Sequence, residues 1–140
     1  MGNYVRRVKG LSFSGMTESG HQVRMDTRTD LGGLDGAARP MELYLQSLMG
    51  CTGMDVVSIL TKMKVGYDTF EVHADAEKAE EHPRVYRKIH LIYRFTGDGL
   101  DLDKVRKAVD LSQNRYCPVS AMTRKAVELT HHIEVNDERI

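Results

Sequence analysis

The feature that most constrains the fold is a long apolar segment that begins at Pro40 and continues to about residue 64. The segment is rich in Leu and Met and polar only at intervals, and proline is favoured in the first turn of a helix, where its missing N–H costs nothing. It therefore predicts a long central helix. Gly50 and Gly53 interrupt it on either side of Cys51, and each costs about 1 kcal/mol relative to alanine. That cost favours a close approach by another helix or backbone, or room for a ligand beside the Cys51 sulfur.

Alternating apolar and polar residues predict strands on both sides of this helix. Ahead of it the alternation covers residues 5–9, 11–16 and 21–27, which suggests an antiparallel meander, and the glycine-rich residues 28–39 predict a loop. Beyond it the alternation covers residues 70–77 and 85–95, a plausible hairpin, and lastly residues 129–135. Two helices are predicted before the last strand, one from the N-cap Asp101 to about residue 114 and a short one from Pro118 to about residue 125.

The predicted order is three strands, a long helix, two strands, two helices and a strand. Runs of strands interrupted by helices, without regular βαβ alternation, place the chain in the α+β class. The 140 residues fit one domain of about 100–200 residues with a modest core. A single domain over residues 1–140 is therefore expected.

Composition and charge exclude several classes of protein. With 41% hydrophobic and 29% charged residues, the chain has the composition of an ordinary globular protein rather than a disordered one. Its 20 Lys and Arg balance 20 Asp and Glu, so no net field predicts binding to nucleic acid or anionic lipid. No apolar run approaches the roughly 18 residues of a membrane helix, and the N-terminus lacks the apolar stretch of a signal peptide. These absences predict a cytoplasmic protein.

The two cysteines, Cys51 and Cys117, lie 66 residues apart and form no Cys-x-x-Cys motif. Thiol chemistry needs some thiolate. Cys117 directly precedes Pro118, at or next to the N-cap of a helix, where free N–H groups and the helix dipole favour an anion. Cys51 lies about three turns into its helix, so the residues alone favour Cys117 as the more acidic thiol. The alternative is that each cysteine is simply a small buried apolar side chain.

Two separated motifs surround the cysteines, namely Pro40-Met41-Glu42-Leu43 followed by Gly50-Cys51, and Tyr116-Cys117-Pro118-Val119-Ser120. Together they resemble the OsmC/Ohr family of thiol-dependent peroxidases. The resemblance covers nearly the whole chain and is closer to the less characterised OsmC-like branch than to the best-known peroxidases. It implies an OsmC-like fold and a tightly intertwined homodimer, with the long helices at its centre and two active sites at its interface.

The resemblance also implies roles for the two cysteines. Cys51 would be the peroxidatic residue, which attacks the peroxide and becomes a sulfenic acid, and Cys117 would be the resolving residue, which closes a disulfide. This order reverses the ranking obtained from the helix ends. An external dithiol reductant would reset the enzyme, and no cofactor is expected.

The family further uses a Glu and an Arg that hold the thiolate and the leaving oxygen. Glu42 stands one position later than the family's glutamate, and nine residues separate it from Cys51, so the two side chains project from opposite faces of a regular helix. Glu42 can instead meet an arginine or cap the helix start. Arg28, at the end of the third strand, falls roughly where the family's arginine does. The rivals of Arg28 are Arg39 and Arg84.

Together these features predict a cysteine-based peroxidase that reduces organic hydroperoxides more readily than hydrogen peroxide, in defence against oxidative or osmotic stress. Its expected partners are a second copy of the chain, the hydroperoxide and a dithiol reductant, and neither nucleic acid nor a membrane. The alternative is a non-catalytic OsmC-like dimer that binds a small apolar ligand, with structural or slowly oxidised cysteines. The six histidines include no i, i+4 pair typical of a zinc site, so no metal is expected.

Overall fold

A computed structural model describes residues 2–140, and its elements follow the predicted order. The strands of the described residues are β1 (Tyr4–Lys9), β2 (Ser12–Met16), β3 (Gln22–Met25), β4 (Thr69–Lys78), β5 (Tyr86–Thr96), β6 (Glu128–Val135) and β7 (Glu138–Arg139). The helices are α1 (Pro40–Lys62), α2 (Leu102–Leu111) and α3 (Pro118–Arg124), with a 3₁₀ turn at Thr29–Leu31 and a π-helical turn at Ser112–Tyr116. The predicted α+β class is confirmed.

The chain forms two compact units, one ending at Gln46 and the other running from Ser47 to Ile140. Helix α1 begins in the first unit and continues into the second. The first unit contains the predicted antiparallel meander, in which β2 pairs with both β1 and β3, for example with Phe13 opposite Met25. The interpretation of residues 1–140 as one domain stays a prediction.

One buried carboxylate organises the loop that follows β3. Asp26 is 3% exposed. It accepts hydrogen bonds of 2.7 to 3.1 Å from the backbone N–H groups of Thr27, Leu34 and Gly36. The Thr27 bond, the largest influence, lowers the pKa of Asp26. The loop is so tight that a Cβ added to Gly33 would lie 2.1 Å from the Thr27 carbonyl oxygen. Strand β3 therefore ends at Met25, two residues earlier than predicted.

The second unit is a four-stranded sheet with helices packed on one face. The strand order is β4-β5-β6-β7, and β5 runs parallel to β6 while the other pairs are antiparallel. A parallel pair needs a long crossover, which α2 and α3 supply. The buried core combines β5 side chains, at most 1% exposed, with helix side chains that are fully buried: Ile89, Leu91, Tyr93, Phe95, Leu48, Val56, Leu60, Val105 and Val109. Burial of each such aliphatic side chain contributes roughly 1.5–3 kcal/mol relative to exposure.

The two glycines of α1 do not mark a close backbone approach within the described chain. A Cβ added to Gly53 would lie 3.5 Å from the Val72 side chain, an ordinary contact, and one added to Gly50 would meet nothing within 4 Å. The prediction of a close approach is therefore wrong for contacts made by the chain itself. Within the part of the chain that the structure describes, α1 is also the one helix long and apolar enough to cross a bilayer by length and composition. The sequence analysis predicted no such segment, and the core helix of a soluble protein can have the same length and composition.

Two local features differ from the sequence prediction. The helix predicted to continue to about residue 114 ends as an α-helix at Leu111 and continues as the π-helical turn to Tyr116. Strand β7 was not predicted. It follows Asn136 and Asp137, whose positive φ angles of 50° and 65° are those of a two-residue hairpin turn, and Asn and Asp are the residues that tolerate them.

Candidate active site: two thiols and a buried hydrogen-bond network

The second unit holds both cysteines, and each lies on the element that the sequence predicted. Cys51 is a half-buried residue of α1, and Cys117 is 2% exposed. Cys117 has an extended backbone conformation, with φ −74° and ψ 105°, and is the N-cap of α3, whose first residue is Pro118. Both cysteines are free thiols.

The two sulfur atoms lie together although 66 residues separate them in the sequence. Cys117 and the Val119 backbone N–H both influence the Cys51 thiol. The Ser120 backbone N–H donates to the Cys117 sulfur at 3.3 Å. The start of α3 therefore interacts with both cysteines.

The surroundings of Cys51 favour its protonated form within this chain. Burial, the largest cause, raises the pKa of the Cys51 thiol because a thiolate loses solvation. The hydrogen bond with Cys117 and the negative charge of Asp55 raise this pKa further, and the Val119 N–H opposes them.

Six side chains around the cysteines, all buried except that of Arg124, form what we call the Gln113 network: Thr52, Tyr93, Ser112, Gln113, Ser120 and Arg124. The Thr52 hydroxyl lies 2.7 Å from the Tyr93 hydroxyl and 2.7 Å from the Ser112 hydroxyl. Gln113 Nε2 donates to Thr52 Oγ1 at 3.1 Å and to the Tyr93 hydroxyl at 2.7 Å. These four side chains are at most 2% exposed, so their hydrogen bonds replace the water that burial removes.

Arg124 orients the Gln113 amide in this network. Its Nη2 donates to Gln113 Oε1 at 3.0 Å, and its Nη1 donates to the Gln113 carbonyl oxygen at 3.1 Å. Gln113 Nε2 is thereby directed at the hydroxyls, and it also donates to Ser120 Oγ at 3.1 Å. Burial raises the pKa of Tyr93 to about 12, so the Tyr93 hydroxyl keeps its proton at neutral pH.

Sequence reasoning missed the Gln113 network, although a signal was present. The apolar stripe of α2 contains Val105, Ala108 and Val109, all buried. Ser112 and Gln113 follow three and four residues after Val109, where the same stripe continues. Polar residues at positions expected to be buried indicate a hydrogen-bonded network. The π-helical turn, which lets both neighbours face the interior, has no comparable sequence signal.

Arg28 and Glu42 lie in the first unit, and each has a local partner. The Arg28 guanidinium pairs with the Asp30 carboxylate, and both side chains are well exposed. Glu42 Oε2 accepts the Arg39 backbone N–H at 2.9 Å. Glu42 is the third residue of α1, so it caps the helix start as a capping-box glutamate does. Their roles toward the thiols stay predictions, as do those of the rivals, Arg39 and Arg84.

Two histidines of the second unit, His90 and His132, contact each other, and His132 also contacts a carboxylate. His90 Nε2 lies 2.7 Å from His132 Nδ1, and His132 Nε2 lies 2.9 Å from a Glu134 carboxylate oxygen. Among residues 2–140, no group of three or more His, Cys, Asp or Glu is arranged to hold a metal ion.

A helix-covered sheet with two meeting thiols is the arrangement that the two sequence motifs predicted. The chain belongs to the OsmC-like protein family, whose family model matches residues 33–132. It is similar to Protein YhfA of Escherichia coli strain K12, with 43% identity over 131 residues that cover 94% of this chain and 95% of that protein. The resemblance to the OsmC/Ohr family is therefore confirmed.

Solved structures share the fold. A hypothetical protein from Aquifex aeolicus VF5 is 28% identical with a TM-score of 0.82, covering 96% of this chain and 94% of that one. An organic hydroperoxide resistance protein OsmC from Legionella pneumophila is 16% identical with a TM-score of 0.67, covering 96% of each chain. At that identity the likeness shows the fold alone.

Proposed function

We propose that this protein reduces organic hydroperoxides with Cys51 and Cys117 as its redox couple. The observation that carries the proposal is that the two cysteine side chains, 66 residues apart in the sequence, lie close enough to influence each other. Two thiols that are brought together in this way can close a disulfide if their sulfurs reach about 2.05 Å. The name of the Legionella neighbour, an organic hydroperoxide resistance protein, supports a hydroperoxide as the oxidant.

The proposed cycle has three steps. The Cys51 thiolate attacks the terminal oxygen of the hydroperoxide, the O–O bond breaks, and the alkoxide takes up a proton and leaves as an alcohol. The transferred oxygen stays on Cys51 as a sulfenic acid. The Cys117 sulfur then attacks the Cys51 sulfur, a disulfide forms, and the oxygen leaves as water with the proton of the Cys117 thiol. An external dithiol gives two electrons and two protons to this disulfide and becomes a disulfide itself.

The first step needs a stabilised thiolate, because burial raises the pKa of Cys51. For this role we propose Arg28, together with Glu42, because the family resemblance implies an Arg and a Glu that hold the thiolate and the leaving oxygen. Arg28→Ala is then expected to slow sulfenic acid formation about tenfold at pH 7, the effect of one pKa unit on the thiolate fraction. Stopped-flow measurement with excess hydroperoxide gives this rate, and Arg24→Ala, at another exposed arginine of the first unit, is the control. An unchanged rate in Arg28→Ala would reject Arg28 in favour of Arg39 or Arg84.

We further propose that the protein is a cytoplasmic homodimer that buries one face of α1. Residues of this face between positions 47 and 61 are exposed and uncharged, and they include Met54 at 76% and Val57 at 38% exposure. An uncovered apolar face of this kind marks an interaction site, and a second copy of the chain is the proposed cover. Met54→Glu is expected to shift the sedimentation equilibrium toward the monomer. Val85→Glu, at an exposed apolar residue before β5, should leave it unchanged, and a monomeric unaltered protein would contradict the proposal.

A count of free thiols tests the redox couple. One equivalent of cumene hydroperoxide per chain is expected to remove both thiols, and dithiothreitol should restore them. In Cys117→Ser, dimedone should trap a sulfenic acid on Cys51, and Cys51→Ser should consume no peroxide. The same count with hydrogen peroxide is expected to show slower loss. Thiols that persist in excess hydroperoxide would reject the peroxidase function.

The raised pKa of Cys51 favours a second candidate, a non-catalytic OsmC-like dimer that binds a small apolar ligand. An open groove of about 510 Å³ in the second unit gives such a ligand space. It is lined by Asp55, Ser58, Ile59, Lys62, Met63, Leu111 and Tyr116. The pH dependence of thiol oxidation separates the candidates. In a peroxidase, thiol oxidation is fast at pH 7. In a non-catalytic dimer, thiol oxidation is slow at pH 7 and its rate still increases above about pH 9, because a raised pKa leaves little thiolate at lower pH.

A further inference from the structure

The Gln113 side chain connects the two segments that carry the cysteines. Its Nε2 donates to Thr52 Oγ1 at 3.1 Å, and Thr52 directly follows Cys51 on α1. The same nitrogen donates to Ser120 Oγ at 3.1 Å, and the Ser120 backbone N–H donates to the Cys117 sulfur at 3.3 Å. One amide group thus joins the helical turn of Cys51 to the turn that binds the Cys117 sulfur.

We propose that Gln113 is a positioning residue for the Cys51–Cys117 couple, holding the two sulfurs at the separation from which a disulfide closes. The contribution of Gln113 to catalysis rests on the proposed redox function. The positioning itself is a property of the thiol pair, so it can be measured without any peroxide.

The placement of Gln113 is fixed by its own backbone as well as by its side chain. Arg124 binds both its carbonyl oxygen and Oε1. In the π-helical turn, the Cys117 backbone N–H donates to the Ser112 carbonyl oxygen at 2.8 Å, the i to i+5 bond of such a turn, which is frequent at functional sites. Cys117 is therefore tied to the residue next to Gln113 by the main chain, and to Gln113 itself through Ser120.

The hydrogen bonds of Gln113 also allow for movement of the sulfurs. Its Nε2 carries two hydrogens but faces three hydroxyl oxygens at 2.7 to 3.1 Å, those of Thr52, Tyr93 and Ser120. Hydroxyl groups can rotate to donate or accept. A small shift of either cysteine segment on disulfide closure can therefore exchange one of these bonds for another without leaving the amide unpaired.

The thiol–disulfide equilibrium with glutathione tests the proposal. One oxidised glutathione takes two electrons and two protons from the protein dithiol, which becomes the intramolecular disulfide, and two reduced glutathiones are released. The equilibrium constant is the effective concentration of one thiol toward the other. Gln113→Met, which keeps the side-chain length and removes the amide, is expected to lower it about tenfold, the fold-change of one lost hydrogen bond. Gln113→Glu should stay closer to the unaltered protein, because the hydroxyls can turn to donate to a carboxylate that Arg124 still binds.

Two further variants keep the test decisive. Asn114→Ala changes the neighbouring residue, whose side chain bonds the exposed Asp110 carboxylate, and should leave the equilibrium unchanged. Tyr93→Phe removes one hydroxyl and keeps the buried ring, so it replaces Gln113→Met in the test if that variant does not fold. The effective concentration is expected to fall about threefold in Tyr93→Phe.

An effective concentration within about twofold of the unaltered value, in folded Gln113→Met and in Tyr93→Phe, would overturn the proposal even if both variants melt earlier. A loss in Gln113→Glu as large as in Gln113→Met would also count against the hydrogen bonds as the cause. Failure of the peroxidase function has a different signature, namely thiols that resist hydroperoxide in the unaltered protein while glutathione still oxidises them.

Discussion

Replacement of Thr52 by valine removes one hydroxyl from the centre of the Gln113 network and nearly preserves the side-chain shape. Thr52 is 0% exposed and lies within hydrogen-bonding distance of Tyr93, Ser112 and Gln113. Each such bond contributes about 1 kcal/mol net, and the partners keep some bonds among themselves, so the free energy of unfolding is expected to fall by about 2–3 kcal/mol. For a chain of this size that corresponds to a fall in Tm of roughly 6–12 °C.

Urea unfolding followed by far-ultraviolet circular dichroism measures this loss, with the thiols kept reduced and all proteins at one concentration, since association shifts apparent stability. Thr130→Val, on β6 of the same unit, is the control. The Thr130 hydroxyl contacts His90 Nδ1 at the exposed surface, so a change within about 0.5 kcal/mol is expected. If Thr52→Val costs no more than Thr130→Val, the network does not stabilise the fold and the reasoning is wrong.

Three further predictions concern the loop after β3 and helix α1. Gly33→Ala should lower the free energy of unfolding by about 3 kcal/mol, the upper end for overpacking, because its Cβ would lie 2.1 Å from the Thr27 carbonyl oxygen; unchanged urea unfolding would contradict this. The lowered pKa of Asp26 means that the unfolded state binds the proton more readily, so its carboxylate stabilises the fold above about pH 4 and loses that effect as the pH falls further. Asp26→Asn should therefore destabilise the protein at pH 6 and much less at pH 3 in urea unfolding, and equal losses at both would refute it. Gly50→Ala, made in the Met54→Glu variant that is expected to be monomeric, should raise the free energy of unfolding by about 1 kcal/mol from helix propensity, since no atom of the chain lies within 4 Å of its added Cβ, and a loss of stability in thermal unfolding would count against this.

The order of elements was predictable because each carries a local signal. Pro40 marks the start of α1, and Asp101 is the N-cap of α2, where its side chain accepts the Lys104 backbone N–H. The alternation in residues 70–77 and 85–95 indicated the β4–β5 hairpin, which the structure pairs antiparallel. Helix geometry left two possible roles for Glu42, a contact with an arginine or a cap at the helix start. The hydrogen bond that Glu42 accepts from the Arg39 backbone N–H is the cap.

Three features that the residues alone did not predict depend on contacts between distant segments. The parallel pairing of β5 with β6 requires both crossover helices to be in place. The Gln113 network needs α1, β5, the π-helical turn and α3 at once. The pKa of Cys51 illustrates the same limit, because its position in α1 said little, while burial and the neighbouring Cys117 decide its direction.

The sequence alone determined the α+β order of elements and placed Cys117 at the start of a helix. The signals that did so are the spacing of apolar residues and the positions of proline, glycine and capping side chains. These signals are local, because hydrogen bonding within a turn or strand depends on neighbouring residues. The meeting of the two sulfurs was predicted only through the family resemblance, and tertiary structure alone decided that Gln113 lies between their segments. Burial and long-range contact depend on how elements pack, and no window of sequence contains that information.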